Sequence, residues 1–396
     1  MRVAIVGGGV GGVTAAAALA RKGIECVVYE QTAELAVAGA SLQLGPNALR
    51  LMDDIGLLPA LREIGVRPEA VDFVRWTDGS LLLHTPLGAP MEEYFGAPQL
   101  DFYRPDLHRV LLDALAPGAV IPGVAVKSVE QTDGAVMLEL GDGSRVHADI
   151  AVAADGIRSR IRQQLAGAEE PVFSGTVVYR GVARREDVLH LHPHHVNYYW
   201  LGPYRHGVSY WISAGELLAV NCGAQHAEWS RESWTLEAPA EEALEYFEGW
   251  DSALLERIRC CRTMLRGAVF VRQPLEHWSF GRITLLGDAA HAMEPFQAQG
   301  AAQAVEDAYV LAECLANEPE DPIGALRRYE VIRMSRAVDL QSSSRAAGES
   351  FYLPEGEEQR RRDASYATLL QTLPWGTRQP IWEYDVRDAL AAPRRI

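Results

Sequence analysis

Lysine is almost absent from this 396-residue chain. Of its 37 basic residues only Lys22 and Lys127 are lysine, and the other 35 are arginine. Any chemistry that needs a lysine therefore has two candidates. Cysteine is scarce as well. Cys26, Cys222, Cys260, Cys261 and Cys314 form no CxxC pair and no metal-ligand spacing, so they read as reduced thiols, mostly buried, in a cytosolic protein without a metal centre. No run of about 18 apolar residues is free of charge or glycine, which excludes a transmembrane helix. The apolar start could pass for a signal peptide, but Gly7, Gly8, Gly9, Gly11 and Gly12 interrupt it where the hydrophobic core of a signal is continuous. Positive charge is also short. The formal net charge is −16, whereas a general nucleic-acid or anionic-membrane binder needs a basic surface. The chain reads as a soluble, cytoplasmic protein.

What is present points to a globular α/β protein. With 48% hydrophobic and 23% charged residues, the chain has core enough for two or three structural units. Val3–Val6 reads as a buried parallel strand, Val13–Arg21 as an Ala-rich helix and Cys26–Tyr29 as a second strand, a βαβ opening. Helices are expected near 47–55 and 106–115, and strands at 124–129, 135–140 and 149–153. Between about Pro171 and Pro274 the pattern alternates and turns aromatic, which predicts an antiparallel sheet. A buried strand returns at Ile283–Leu286, followed by helices at 300–315 and 327–346. The nucleotide-binding unit is thus split by an inserted sheet. His190, His192, His194 and His195 lack an acidic or thiol partner at ligand spacing and read as a solvated turn.

The first motif with chemistry is Gly7-x-Gly9-x-x-Gly12 between strand and helix, with Glu30 closing the second strand. Its glycines permit a tight turn and close approach of a pyrophosphate, and the helix N-terminus supplies N–H donors. Glu30 can accept from ribose hydroxyls, and its charge would repel a 2′-phosphate. The motif alone does not separate NAD from FAD. A second constellation, Gly287-Asp288-Ala289-Ala290-His291 with Pro295 and Gln299-Gly300-Ala301, follows a buried strand. There Asp288 can bind a polyol hydroxyl, and the helix start at Gly300 can meet negative charge developing on a ring. Asp155-Gly156 forms a third piece.

Together these residues resemble the fingerprints of flavin-dependent aromatic hydroxylases, single-component monooxygenases with the p-hydroxybenzoate hydroxylase fold, over about residues 1–345. The resemblance implies a Rossmann-like FAD-binding domain at 1–170 and 275–345, an inserted antiparallel-sheet substrate domain at 171–274, and a helical C-terminal segment at 346–396. It implies FAD as cofactor, held by Gly7, Gly9, Gly11, Gly12, Glu30, Gln31, Arg104, Asp155, Gly287, Asp288, Pro295, Gly300 and Ala301. NADH or NADPH would be the reductant, O2 the oxidant, and a flavin hydroperoxide the agent that hydroxylates a small phenolic or aromatic carboxylic acid. The assembly would be a monomer or homodimer. The segment Gly39–Asn47 is similar to a loop of the salicylate, 3-hydroxybenzoate and 6-hydroxynicotinate hydroxylases, with Gln43 where the hydroxynicotinate enzymes carry a histidine base. His206-x-x-x-Tyr210 is similar to a His/Tyr pair of the 3-hydroxybenzoate enzymes.

On a strand, positions 206, 208 and 210 share one face. His206 is therefore expected as a base with a pKa near 7, and Tyr210 as its relay. Gln43, Arg180, Pro295, His206 and Tyr210 form the expected substrate pocket, with Arg180 a candidate carboxylate anchor. His291 reads as structural. Two alternatives stand beside this reading, a flavin-dependent epoxidase or oxidase of a larger natural product and a non-catalytic flavin-fold binding protein. Halogenation is disfavoured, since neither lysine is placed for it.

Overall fold

The computed structural model describes residues 1–34, 41–132, 134–226, 229 and 236–392. A six-stranded sheet runs in the order Ser279–Phe280, Ile283–Leu285, Ile150–Ala153, Arg2–Val6, Glu25–Glu30, Val120–Pro122. Its pairings are parallel except the short edge hairpin. The central strand is buried on both faces, which is why Val3–Val6 is continuously apolar. On one side the helices Val10–Arg21 and Gly300–Asn317 lie in close contact. Alanines 15 to 18 allow that approach, and Gly11 is part of it, since a Cβ there would lie 3.1 Å from the Cβ of Ala304.

The second sheet has eight strands, in the order Leu236–Pro239, Thr263–Val271, Val172–Arg184, Leu217–Gln225, Arg205–Ile212, Val196–Gly202, Ala70–Arg75, Leu81–Pro86. Residues 171–274 supply six of these. The other two come from residues 70–86, so the sheet extends beyond the expected insert. Ala70–Arg75 adds in parallel to Val196–Gly202, a pairing between segments more than a hundred residues apart that no local pattern encodes. One face of the sheet packs Tyr179, Trp200, Trp211, Leu218 and Val220 under the helices Ala240–Tyr246 and Ser252–Arg259. The other face looks back toward the first domain.

Two further expectations change. His192 is not solvated: it is fully buried, its ring bonded to the Val196 carbonyl at 2.7 Å, and burial beside Arg257 pushes its pKa down to about 3. The apolar surroundings of Trp211 and Tyr198 draw the ring inward, while His190 and His194 stay exposed. The helix expected to end near 346 runs as Pro322–Phe351, so position 346 falls inside it. Beyond it, Glu357–Thr372, Gln379–Glu383 and Val386–Ala391 form helices, and Trp375 and Trp382 pack on Phe95. No helix among the described residues is long and apolar enough to cross a membrane.

A buried ionic cluster joins the two long helices. Arg333 is fully buried and reaches Glu306 at 2.6 Å, Asp307 at 2.8 Å and the Gln303 amide oxygen at 2.6 Å. Arg336 adds a second contact to Glu306 at 2.8 Å. Although burial alone would raise both acids, Arg333 and Arg336 hold Glu306, and His291 with Arg333 holds Asp307, below the usual carboxylate range. Removing one partner of such a buried pair leaves the other charged and desolvated. Arg333→Met should therefore cost about 3–5 kcal/mol in denaturant-induced unfolding. Because the folded acids titrate below their unfolded values, the cluster's contribution is complete at neutral pH and is lost as pH falls below about 4. A variant as stable as the parent at pH 7 would show that the cluster carries no such stability.

Candidate active site

The glycines of the first turn have separate duties. Gly7 has φ 105°, and a Cβ on it would lie 2.3 Å from the Ala154 carbonyl; on Gly12 it would lie 2.0 Å from the carbonyl of Gly7. Both are needed by the fold itself. Gly9 differs, since a Cβ there would meet nothing within 4 Å. It opens the helix Val10–Arg21, whose N-terminus has neither a side-chain cap nor an acidic residue in its first turn. Open space in front of bare N–H groups is what a pyrophosphate requires.

Around this turn stand the other expected cofactor residues. Glu30 accepts from the backbone N–H of Gly8 at 2.6 Å and of Thr32 at 2.7 Å, while the neighbouring Gln31 is exposed. Arg104 opens the helix Arg104–Asp113 and lies exposed, close enough for its charge to act on His108, Arg180 and Asp288. One turn along, His108 is buried and bonds through Nε2 to the Gly8 carbonyl at 2.5 Å. Sequence reasoning missed His108, although its i+4 spacing from Arg104 places both on one helix face. Asp288 is solvent-accessible, yet the surrounding protein raises its carboxyl by desolvation. Gly300 and Ala301 begin the Gly300–Asn317 helix beside it, with a Gly300 Cβ position 3.9 Å from Asp288 Oδ1. Pro295 starts the turn Pro295–Gln297. Gly287 N–H donates to Asp307 at 3.0 Å, and His291 bonds the same oxygen at 2.6 Å, which makes His291 structural. Asp155 accepts from the N–H of Arg160 at 2.9 Å at the start of the Arg160–Ala166 helix. The open Gly9 cradle, two uncapped helix starts and an accessible acid fit FAD.

The eight-stranded sheet supplies the facing wall, and its register fixes which side chains meet there. Arg180, Asn221, Val208, Tyr199 and Phe73 pair in succession and form one row. His206 lies in the row on one side of it, opposite Gly223 and Leu201; Tyr210 lies in the row on the other, opposite Ala219. Paired residues share a face, so His206, Tyr210 and Arg180 do point to one side. From Arg180 to Tyr199 is three strand spacings, about 14 Å, which is room for an aromatic ring with side chains reaching in.

The chemistry of His206 departs from expectation. Gly223 opposite it leaves space for the ring, which packs between Phe296, Phe351 and Tyr352. Burial pushes its pKa down to about 4, not 7, and Nδ1 lacks a hydrogen-bond partner. Tyr210 stands four residues along the strand, about 13 Å by backbone spacing, too far for direct relay. Its hydroxyl donates instead to Ser41 Oγ at 2.7 Å, which also accepts from Asn221 at 3.0 Å. Burial keeps the Tyr210 phenol protonated. Arg180 lies at the Arg104 end of its row, and burial with that neighbouring charge pushes it down to about 10.

Gln43 comes from the strand Ser41–Leu44, which pairs with Leu100–Tyr103; Gly39 and Ala40 of the same loop lie outside the described residues. Its Oε1 accepts from Tyr199 at 3.0 Å and from Arg378 at 3.3 Å, and its Nε2 is buried without an acceptor. Opposite Gln43 is Asp101, fully buried, accepting from Asn197 at 2.6 Å and Gln99 at 3.0 Å; burial raises it to about 7. Ser41, Asp101, Tyr199, Asn221 and Arg378 were not expected from sequence. They meet only through sheet register and chain return, and no local spacing signals them.

Comparison with known proteins agrees with this geometry. Residues 1–341 match the family described as FAD binding domain. A 3-amino-4-hydroxybenzoate 2-monooxygenase of Streptomyces platensis is 42% identical over 93% of this chain and 92% of its own. A 3-hydroxybenzoate 6-hydroxylase of Aquipseudomonas alcaligenes is 34% identical over 89% and 90%. The solved substrate complex of salicylate hydroxylase superposes with a TM-score of 0.83 at 28% identity, covering 100% of this chain and 99% of that one. These relatives favour a hydroxylase over both the epoxidase and the binding-protein alternatives.

The glycine duties are separable by substitution. Gly9→Ala should fold with an unchanged melting temperature yet purify with little or no flavin, whereas Gly12→Ala should fail to fold. Absorbance spectra and thermal melts of the two proteins check this, and full flavin content in Gly9→Ala would refute the cradle.

Proposed function

The chain belongs to the FAD-binding family of aromatic hydroxylases, and from that premise we propose that it hydroxylates a small phenolic or aminophenolic carboxylic acid with NAD(P)H and O2. The observation that carries the substrate class is the single sheet face on which His206, Tyr210, Asn221 and Tyr199 converge beside the flavin cradle. That face offers an apolar floor at Val208 and Ala219 and polar groups around its rim, the usual composition of a small-ligand site. When bound, FAD supplies the redox chemistry that takes a hydride from the nicotinamide and delivers one oxygen atom of O2 to the ring.

The protein's own part is to hold the ring, exclude water and handle one proton. Ser41 Oγ, already accepting from Tyr210 and Asn221, keeps its own hydrogen to donate to a substrate oxygen. His206, neutral well below pH 7, takes a hydrogen bond from a substrate O–H or N–H and so raises ring electron density without carrying charge. Phe296, Phe351 and Tyr352 around it keep water from that contact. The bare start of the Gly300 helix would favour negative charge on a bound flavin ring.

The test is NAD(P)H consumption with a panel of hydroxy- and aminohydroxybenzoates, with product masses. One or more acids should accelerate consumption and gain one oxygen atom; if none does, the substrate class is wrong. His206→Ala should retain FAD and lose roughly 10²-fold or more in hydroxylation. Since the neutral imidazole is the active form and persists down to about pH 4, that deficit should be constant from about pH 6 to 9 and shrink only in more acid solution. A deficit that grows as pH rises through 7 would return His206 to the role of a base with a neutral-range pKa.

A further inference from the structure

The C-terminal segment brings one side chain into the site. After the helix Glu357–Thr372 the chain makes the short turn Gly376–Arg378 and enters the helix Gln379–Glu383. Trp375 against Tyr94 and Phe95, with Trp382 against Phe95, pins this segment to the body of the protein. Between these tryptophans Arg378 turns inward. Its Nη1 donates to Gln43 Oε1 at 3.3 Å, its Nη2 donates to the Tyr199 hydroxyl at 3.2 Å, and its guanidinium lies 5.7 Å from the Tyr199 ring centroid.

Both partners of Arg378 are neutral oxygens. No carboxylate comes within ion-pair distance of it among the described residues, whereas the buried Arg333 faces two acids. The charge of Arg378 reaches Asp101, which burial holds at about 7 and which spends its own oxygens on Asn197 and Gln99. Two of the five N–H donors of Arg378 are used, leaving three. The side chain thus holds a net positive charge over the end of the Arg180–Tyr199 row furthest from Arg180. Arg180, the candidate carboxylate anchor from sequence, sits at the other end beside Arg104, on the cofactor side.

We propose that Arg378 is the anion anchor of the substrate site, receiving the carboxylate of an aromatic acid and turning the opposite edge of the ring toward the flavin. The assignment rests on the reading that the substrate is an aromatic acid. It gives the C-terminal segment a part in specificity: Gln43 and Tyr199 hold the guanidinium plane in place, and the carboxylate meets a preset fork instead of a mobile side chain.

The FAD-loaded enzyme titrated with benzoate and separately with benzamide, followed by the change in flavin absorbance, tests this. Arg378→Met should bind benzoate about tenfold or more weakly than the parent, the worth of a charge-assisted hydrogen bond, and bind benzamide equally well. Arg378→Gln, which keeps a donor toward Tyr199, should show the same selective loss, and Arg378→Lys should fall between. Equal benzoate affinity in parent and variants, or an equal loss for both ligands, overturns the anchor while the aromatic-acid reading stands. A parent enzyme that responds to benzamide but not to benzoate, and turns over neutral phenols but no acid, overturns the substrate reading and the anchor with it.

Discussion

One buried guanidinium holds the walls of this site in register. Arg333 draws Glu306 and Asp307 together on the Gly300–Asn317 helix, and each acid spends its remaining oxygen elsewhere. Asp307 accepts from Gly287 and His291, which fixes the turn that presents Asp288. Glu306 accepts from Asn47 at 2.7 Å, which fixes the start of the Pro46–Asp54 helix directly after the strand carrying Gln43. The cluster holds two arginines and two acids, so it is neutral overall with Arg336 included. That balance is what makes the burial tolerable: an isolated ion there would face several kcal/mol of desolvation. Ridge packing alone would tolerate small slides between the two helices. An ionic cluster with several bonds of fixed length does not, and the distance between the cofactor cradle and Gln43 follows from it.

The two sheets then divide the work. The parallel sheet ends its strands at the glycine turn, at Asp155 and at Gly287, so its carboxyl edge collects every backbone feature that can meet a dinucleotide, as in other open α/β sheets. The eight-stranded sheet contributes side chains instead. Its strands are amphipathic in an unusual sense, because both faces are covered: one by helices over a tryptophan-rich core, the other by the flavin-side loop and the C-terminal helices. The face that carries His206 and Tyr210 is therefore enclosed between two packed layers and is not an open surface, which is how both side chains come to be buried.

What was legible in the sequence was whatever depends on near neighbours. The duties of Gly7 and Gly12 follow from a turn of a few residues, and the shared face of His206 and Tyr210 follows from strand parity. What was not legible depends on distant chain segments. Ala70–Arg75 joins the eight-stranded sheet by pairing with residues far along the chain. His192 is buried because Trp211 and Arg257 come to it, whereas His190, Pro193, His194 and His195 beside it in the chain suggest the opposite. The pKa of His206 departs from the residue-type value for the same reason. The residue type sets the starting value near 6.5, but Phe296, Phe351 and Tyr352, which desolvate it, arrive from segments about 90 and 150 residues away in the chain.

Charge was the property least settled by composition, and the fold explains how an acidic chain accommodates anions. At physiological salt, fields are screened over about 8 Å, so a net charge of −16 spread over the surface matters little inside a cleft. What matters there is local: the uncapped N-termini of two helices, Arg104 beside Asp288, and Arg378 above Tyr199. The near-total preference for arginine also takes on a physical use at that last position, whatever produced it. A lysine ammonium spending two of its three donors on Gln43 and Tyr199 would have one left and no fixed plane. The arginine fork makes the same two bonds and still presents donors in a rigid geometry matched to a carboxylate. The residue that holds the wall of the pocket can thus also be the one that reads the substrate's charge.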